Sequence, residues 1–395
     1  MKEGWERKRL GDVCEKTETV NPLQSPDMEF DYIDVSSVSN TTFEIVETQR
    51  LKGKDAPSRA RKLVRTNDII FATIRPTLQR IAIVPDRLDK QVCSTGYFVL
   101  RPKPEMDHRF VFYSLFADEF TAQMERLQKG ASYPAVTDGD VRSQVIPVPP
   151  LAEQQRIVGI LDEAFAGLAT AKANAETNLQ NARALFESYL QSVFSQRGEG
   201  WDMKTLEEIA TTFGRGKSKH RPRNEPKLYG GEYPFIQTGD IRNAEHFVTE
   251  YSQTYSKMGL AQSKLWPKGT ICITIAANIA ETAILDFDAC FPDSVIGVVP
   301  DSKQAEIGFV EYLLQSFKAR LQSLGKGSAQ ANINMGTFEH ERFPFPSVAK
   351  QNEIVTKLDA LSEEAQRLTA IYTRKLAAVE ELKKALLHQA FSGEL

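Results

Sequence analysis

The sequence has little that could hold a metal or a disulfide framework. Its 395 residues include four cysteines, Cys14, Cys93, Cys272 and Cys290, with no C-x-x-C pair, and five dispersed histidines. That spacing excludes a disulfide scaffold or a zinc knuckle, leaving reduced, buried thiols as the expectation. No apolar run reaches the roughly 18 residues of a membrane span. The opening MKEGWERKRLGDV lacks the apolar core of a secretion signal, so a cytoplasmic protein is expected. Catalytic signatures are also missing. GRGKS (214–218) carries Thr211 where a P-loop has its first glycine. Pro292-Asp293 with Asp301-Ser302-Lys303 only superficially resembles a nuclease pattern, because no further acidic residue is placed to complete a metal site. There is no G-x-S-x-G elbow, no glycine-rich cofactor loop behind a strand and no Asn-Pro-Pro-aromatic motif. The expectation is a chain that binds and positions, with no catalytic residue, metal or cofactor of its own. A net charge of −3 also withholds the basic average of a typical nucleic-acid binder, so only local clusters can argue for one.

What is present is a duplication. GWERKRLGDVCEKT (4–17) matches GWDMKTLEEIATTF (200–213), and FDYIDVSSVSN (30–40) matches YPFIQTGDIRN (233–243). RFVFYSLF (109–116) matches GFVEYLLQ (308–315), and IPVPPLAEQQRIVGILDE (146–163) matches FPFPSVAKQNEIVTKLDA (343–360). Gln154 and Gln351, Ile157 and Ile354, Leu161 and Leu358, and Asp162 and Asp359 all stand 197 positions apart. A period this long is a whole domain plus a helix, not a solenoid repeat. The domains expected are 1–150 and 197–346, each followed by a long helix, 151–196 and 347–395.

Both helical segments are free of internal proline and follow Pro149-Pro150 or Pro346, a natural helix-start context. Apolar or small residues recur at steps of 3 and 4. The first series is Ile157, Leu161, Ala164, Leu168, Ala171, Ala175, Leu179, Ala182, Leu185 and Tyr189; the second runs from Ile354 to Leu386 at the same offset. This is a coiled-coil seam, and both copies take two successive steps of 4 at the same place, a shared stutter. The simplest partner for each helix is the other, packed antiparallel. About 40 helical residues span ~60 Å, which matches on the order of 18 base pairs, so the pair could serve as a ruler.

The globular segments mix strands with amphipathic helices, an α+β pattern. IIFATI, RIAIV and GYFVLRP read as strands in the first copy, and GTICITI, TAILD and SVIGVVP in the second. Residues 109–127 and 308–324 read as helices. Basic, glycine- and proline-rich loops supply the candidate DNA contacts. In the second copy these are Arg215, Lys217, Lys219, His220, Arg221 and Arg223, with Asn278 in a hairpin. In the first they are Arg59, Arg61 and Lys62, and then Arg75, Thr77, Gln79 and Arg80 between two strands. A third element repeats after a helix: LQKGASYPAV (127–136), with Lys129, Ser132 and Tyr133, and LGKGSAQANI (324–333), with Lys326, Ser328 and Gln330. Phosphate approach and a helix C-cap explain its glycine equally well.

The Gly-Trp openings, PLAEQQRIV and SVAKQNEIV at the helix starts, and the closing LLHQAFSGEL resemble the specificity subunits of type I restriction-modification enzymes over nearly the whole chain. The second helix start departs slightly, with Ala349-Lys350 where the first has Ala152-Glu153. The resemblance implies two target-recognition domains, each reading half of a split double-stranded DNA site, joined by an antiparallel coiled coil that sets the spacer. It implies two methyltransferase subunits as partners, using S-adenosylmethionine, and restriction subunits that use ATP and Mg. Two other readings stay open on the residues: the recognition subunit of a type II enzyme with a fused nuclease-methylase partner, and a coiled-coil scaffold that binds no DNA. The loops differ between copies, so an asymmetric target is expected rather than a palindrome.

Overall fold

The structure is a computed structural model. It describes residues 4–196, 200–220, 222–276, 278–326 (backbone only for 324–326) and 333–395. Two compact units emerge, one made of Met1–Glu176 with Thr373–Leu395 and the other of Thr177–Tyr372. Each unit thus holds one globular part, the start of one long helix and the end of the other.

In the first unit Ile69–Ala72 is the centre of a three-stranded antiparallel sheet between Ile81–Ile83 and Tyr97–Leu100. All three strands are nearly all apolar and buried, as central strands of a covered sheet must be. A four-stranded sheet runs in the order Gln49–Lys52, Glu29–Ile33, Val92–Ser94, Ala60–Leu63. Glu6–Arg9 pairs antiparallel with Val145–Val148 and brings the start of the chain beside the long helix. The segment expected as one helix over 109–127 is two, His108–Ser114 and Asp118–Leu127. Asp107 caps the first through bonds from the Arg109 and Phe110 N–H groups, while Asp118 and Glu119 lie in the first turn of the second. Acids there complement a new helix N-terminus. The break lets Phe116 pack edge-on against Phe43 at 4.6 Å and Phe112 at 5.0 Å.

The second unit has one five-stranded sheet in the order Ala210–Arg215, Val295–Pro300, Ile271–Thr274, Thr282–Leu285, Phe247–Val248. Its last pairing is parallel and the others antiparallel. Tyr229–Phe235 pairs with Gln253–Tyr255, and Asp202–Lys204 with Phe343–Phe345. The matching helix here is continuous, Ile307–Lys326.

The long helices are Leu151–Ser195 and Val348–Ser392. They pack on each other antiparallel. In the first unit Ile157 and Leu161 share a core with Leu387 and Ala390, and Lys172 bonds Glu380 at 2.7 Å. In the second unit Leu190 and Phe194 share a core with Ile354 and Leu358. The seam differs from the expected one. In the first helix the inward positions are Leu168, Lys172, Ala175, Leu179, Ala182 and Phe186, while Ala171 and Leu185 face solvent. These steps alternate 4 and 3, so the stutter read there from apolar residues is absent. In the second helix Leu382 is exposed and Lys383 takes the seam. Lys383 lies 4.7 Å from the Phe43 ring centroid and 5.7 Å from that of Phe165. A lysine stem can fill a seam while its ammonium reaches an acid or a ring, which a pattern of apolar letters misses.

One clasp appears in both units and ties helix to globular part. Gln154 and Gln351 are buried, and their Oε1 atoms accept the backbone N–H of Asp107 and of Glu306, both at 2.8 Å. Their Nε2 atoms donate to the carbonyls of Pro149 and Pro346, both at 2.9 Å. Next to them Tyr113 donates its hydroxyl to Asp162 at 2.6 Å and Tyr312 to Asp359 at 2.7 Å. A buried amide that satisfies backbone groups on two segments fixes their angle, because either group left alone would be unsatisfied.

Candidate nucleic-acid interface

In the first unit the structure stitches together two loops that are far apart in sequence. The hairpin tip 73–80 follows strand Ile69–Ala72, and the segment 129–136 follows helix Asp118–Leu127. Arg75 N–H donates to the Pro134 carbonyl at 2.7 Å and Val136 N–H to the Thr73 carbonyl at 2.9 Å. Lys129 and Ala135 exchange both backbone bonds at 2.9 Å and close the second loop on itself. Gly130, at φ +104°, sits inside that closure, where a Cβ would lie 3.0 Å from the Tyr133 carbonyl oxygen. The helix C-cap is Gln128, so loop closure rather than capping accounts for the glycine.

The tip is a short turn, Pro76–Leu78, flanked by Arg75 and Gln79, both left-handed at φ +50° and +51°. Neither is a glycine, so both conformations are strained, and such strain collects at functional sites. The Arg75 guanidinium lies 5.1 Å from the centroid of the Tyr133 ring, which is 72% exposed. Gln79 Nε2 donates to Thr121 Oγ1 at 3.3 Å. Arg75, Thr77, Gln79, Lys129, Ser132 and Tyr133 therefore come together at the two stitched loops.

The remaining first-copy candidates do not join them. Arg80 turns back and gives Nη1 to the Val38 carbonyl at 2.6 Å, with the Val35 and Ser36 carbonyls each at 3.4 Å. Lys62 lies on Ala60–Leu63 in the other sheet, where Nζ bonds the Tyr97 carbonyl and Asp138 Oδ2, each at 2.6 Å. Arg61 gives Nη1 to the Ala60 carbonyl at 2.9 Å, and Arg59 is exposed just before the strand. Its ammonium keeps a third N–H, but Asp138 neutralises its charge and the side chain is only 14% exposed, which makes it a weak phosphate contact.

In the second unit the basic loop leaves strand Ala210–Arg215 and is organised by one acid. Asp293 accepts from Arg223 Nη2 at 2.9 Å on both oxygens, and its carbonyl accepts from Arg215 through Nε at 2.7 Å and through Nη2. The acid half of the apparent nuclease pattern is thus an arginine anchor. Gly216 is needed because a Cβ there would lie 2.3 Å from the Phe291 carbonyl oxygen. Lys217 and Lys219 are exposed, and His220 N–H donates to Gln262 Oε1 at 3.0 Å. Lys264, missed in the sequence, packs its ammonium 3.6 Å from the Trp266 ring centroid. Burial, then the charge of Lys217, holds Lys264 below the ordinary lysine range. Asn278 occupies the hairpin tip at φ +57°, followed by Ala280 at φ +62°, so this tip is strained like its counterpart. Asn278 Oδ1 accepts from Arg242 at 3.4 Å. Arg242 is a second missed residue, and its only sequence signal was its place in the repeated segment 233–243. Arg221, Ser328 and Gln330 lie outside the described residues, as does the side chain of Lys326.

Below the second-unit tip lies a buried polar cluster. Glu311 is fully buried, and its Oε2 lies 2.8 Å from His246 Nδ1. Its Oε1 accepts from Thr282 at 2.8 Å and Gln315 at 2.7 Å. Burial would depress His246, but the hydrogen bond and charge of Glu311, backed by Asp359 and Glu306, raise it above its ordinary value.

The family of type I restriction modification DNA specificity domains, Methylase_S, matches the chain twice, over residues 2–178 and 198–378. The chain belongs to this family. It is similar to the HindI specificity subunit of Haemophilus influenzae, with 22% identity over 99% of both chains. Among solved structures it resembles the HsdS subunit from Thermoanaerobacter tengcongensis, with 29% identity, a TM-score of 0.73 and coverage of 100% of this chain and 98% of that one. A chain from work on complex assembly and conformational transition of the type I R-M system gives 29% identity and a TM-score of 0.84, over 100% of this chain and 99% of the other. Both specificity domains and the paired helices of this family are therefore present. Among the described residues no helix is long and apolar enough to cross a membrane.

Proposed function

We propose that this chain is the DNA-reading subunit of a type I restriction-modification complex, that it recognises an asymmetric two-part site, and that it catalyses nothing itself. The observation that carries this reading is a pair of specificity domains with a duplicated clasp and dissimilar loops. The clasp gives each reader the same mounting on its helix. The loops give each reader different chemistry: a strained tip with Arg75 and Tyr133 in one, an arginine loop anchored on Asp293 in the other. Residues 1–150 and 197–346 act as the target-recognition domains, and 151–196 with 347–395 as the spacer helices.

Phosphate contacts from Lys129, Lys217, Lys219 and the basic loop hold the duplex, and the two tips read base edges. Two methyltransferase subunits carry S-adenosylmethionine and the methylation chemistry, while restriction subunits supply ATP- and Mg-dependent cleavage, all in the cytoplasm. The test is modified-base sequencing of DNA from cells that express this chain with its methyltransferase. One split motif carrying methyladenine is expected, and a confirmed, active complex that methylates no split motif contradicts the reading.

A further inference from the structure

We propose that the Arg75–Tyr133 stack is the specificity-determining reader of a guanine in the half-site bound by the first unit. This rests on the proposed DNA-reading function and assigns one base of it to one pair of side chains.

Three features single the pair out. First, the stack is assembled by backbone rather than by chance side-chain contact. Arg75 N–H is tied to Pro134 at 2.7 Å, and Tyr133 directly precedes that residue in a loop whose closure requires Gly130. Second, the arrangement is unfavourable on its own account. Arg75 sits in a left-handed conformation, and Tyr133 leaves 72% of its surface in water. Backbone strain of this kind collects at functional sites, and the exposed ring is open to a ligand. Third, the donor geometry is right for a base edge. Among the described residues the guanidinium makes one further contact, Nη2 to the Ser132 carbonyl at 3.4 Å. The guanidinium lies over the Tyr133 ring, 5.1 Å from its centroid, while its other N–H donors stay available.

A planar fork of two N–H donors matches the O6 and N7 acceptors of guanine in the major groove, and no other base edge offers that pair of acceptors. A phosphate would also accept the fork. Lys129 on the same loop can meet a phosphate as a point charge, which leaves the fork for a base edge.

The experiment is the methylation motif of the full complex, read by modified-base sequencing for wild type, Arg75→Lys, Tyr133→Ala and Tyr133→Phe. Arg75→Lys keeps the charge and loses the fork. It is expected to relax one guanine of one half-site, with discrimination at that base falling about ten- to a hundredfold. Tyr133→Ala should relax the same base by less, Tyr133→Phe should retain the wild-type motif, and the other half-site should be unchanged in all three. An unchanged motif in Arg75→Lys, or a uniform loss of methylation at every site with the motif intact, overturns the proposal and makes the pair a phosphate contact or a bystander. A wild-type complex that methylates no split motif overturns the DNA-reading function instead, so the two failures are told apart in one data set.

Discussion

Phe112 and Glu311 occupy the same place in the two copies, one residue before the clasp tyrosines Tyr113 and Tyr312. In the first unit Phe112 packs edge-on against Phe116 and Tyr113, at 5.0 and 5.4 Å. In the second unit the carboxylate gathers His246, Thr282 and Gln315. The clasp either side of this position is unchanged. The duplication thus keeps what mounts a reader on its helix and lets the reader's interior diverge, even between an aromatic cluster and a buried charge. A buried charge depends on its partners in a way an aromatic cluster does not.

That contrast sets the largest expected effect. Glu311→Ala strands His246 and removes the acceptor of Thr282 and Gln315, and should cost the second unit roughly 3 kcal/mol. Phe112→Ala, a half-buried ring, should cost the first unit less. Unit-resolved hydrogen exchange measures both, and equal losses would show that the two interiors are equivalent after all. The clasp should behave in the opposite, symmetric way. Gln154→Ala and Gln351→Ala each orphan a buried N–H and a carbonyl, and each should cost about 2 kcal/mol in its own unit. Matching deprotection of helix starts near 151 and 348 checks this.

The two units should also respond to pH with opposite sign. His246 is raised in the folded protein, so its contribution is full below the unfolded value of about 6.5 and is lost as pH rises through the folded value. His108 in the first unit is lowered, chiefly by burial, with Asp107 opposing and Arg109 assisting. Its folded form resists protonation, so the first unit loses stability as pH falls below about 6.5. Melting followed per unit between pH 5 and 8 (a range set by the ordinary histidine value of about 6.5) should show the second unit weakening upward and the first weakening downward. His246→Gln should abolish the second unit's trend.

The smallest effect concerns the basic loop. Lys219→Ala should leave stability unchanged and flatten the salt dependence of DNA binding by about one unit of slope, the signature of one lost phosphate contact. An unaltered slope removes Lys219 from the interface.

The duplication, the α+β class and both long helices were legible because period, proline placement and 3/4 spacing are properties of the letters themselves. The seam was less so. Lysine stems at 172 and 383 fill positions that the apolar pattern gave to Ala171 and Leu382. The broken helix at Leu115–Ala117 was hidden because no proline or glycine marks it; only Asp118 and Glu119 hint at a new start. At the candidate interface the sequence named Arg75 and Tyr133 separately, but their meeting depends on a backbone ladder between distant loops. It also could not separate Arg80 and Lys62, which turn inward, from arginines and lysines that stay exposed. The role of Asp293, the acid of the superficial nuclease pattern, as an arginine anchor is not legible because its partners lie about 70 residues or more away in sequence.

The most direct test of two unlike readers on matched mounts is the methylation motif of the intact complex. One asymmetric motif with two dissimilar halves is predicted, and replacing residues 1–150 with those of another family member should change only one half. A palindromic or continuous motif, or a replacement that alters both halves, would contradict it.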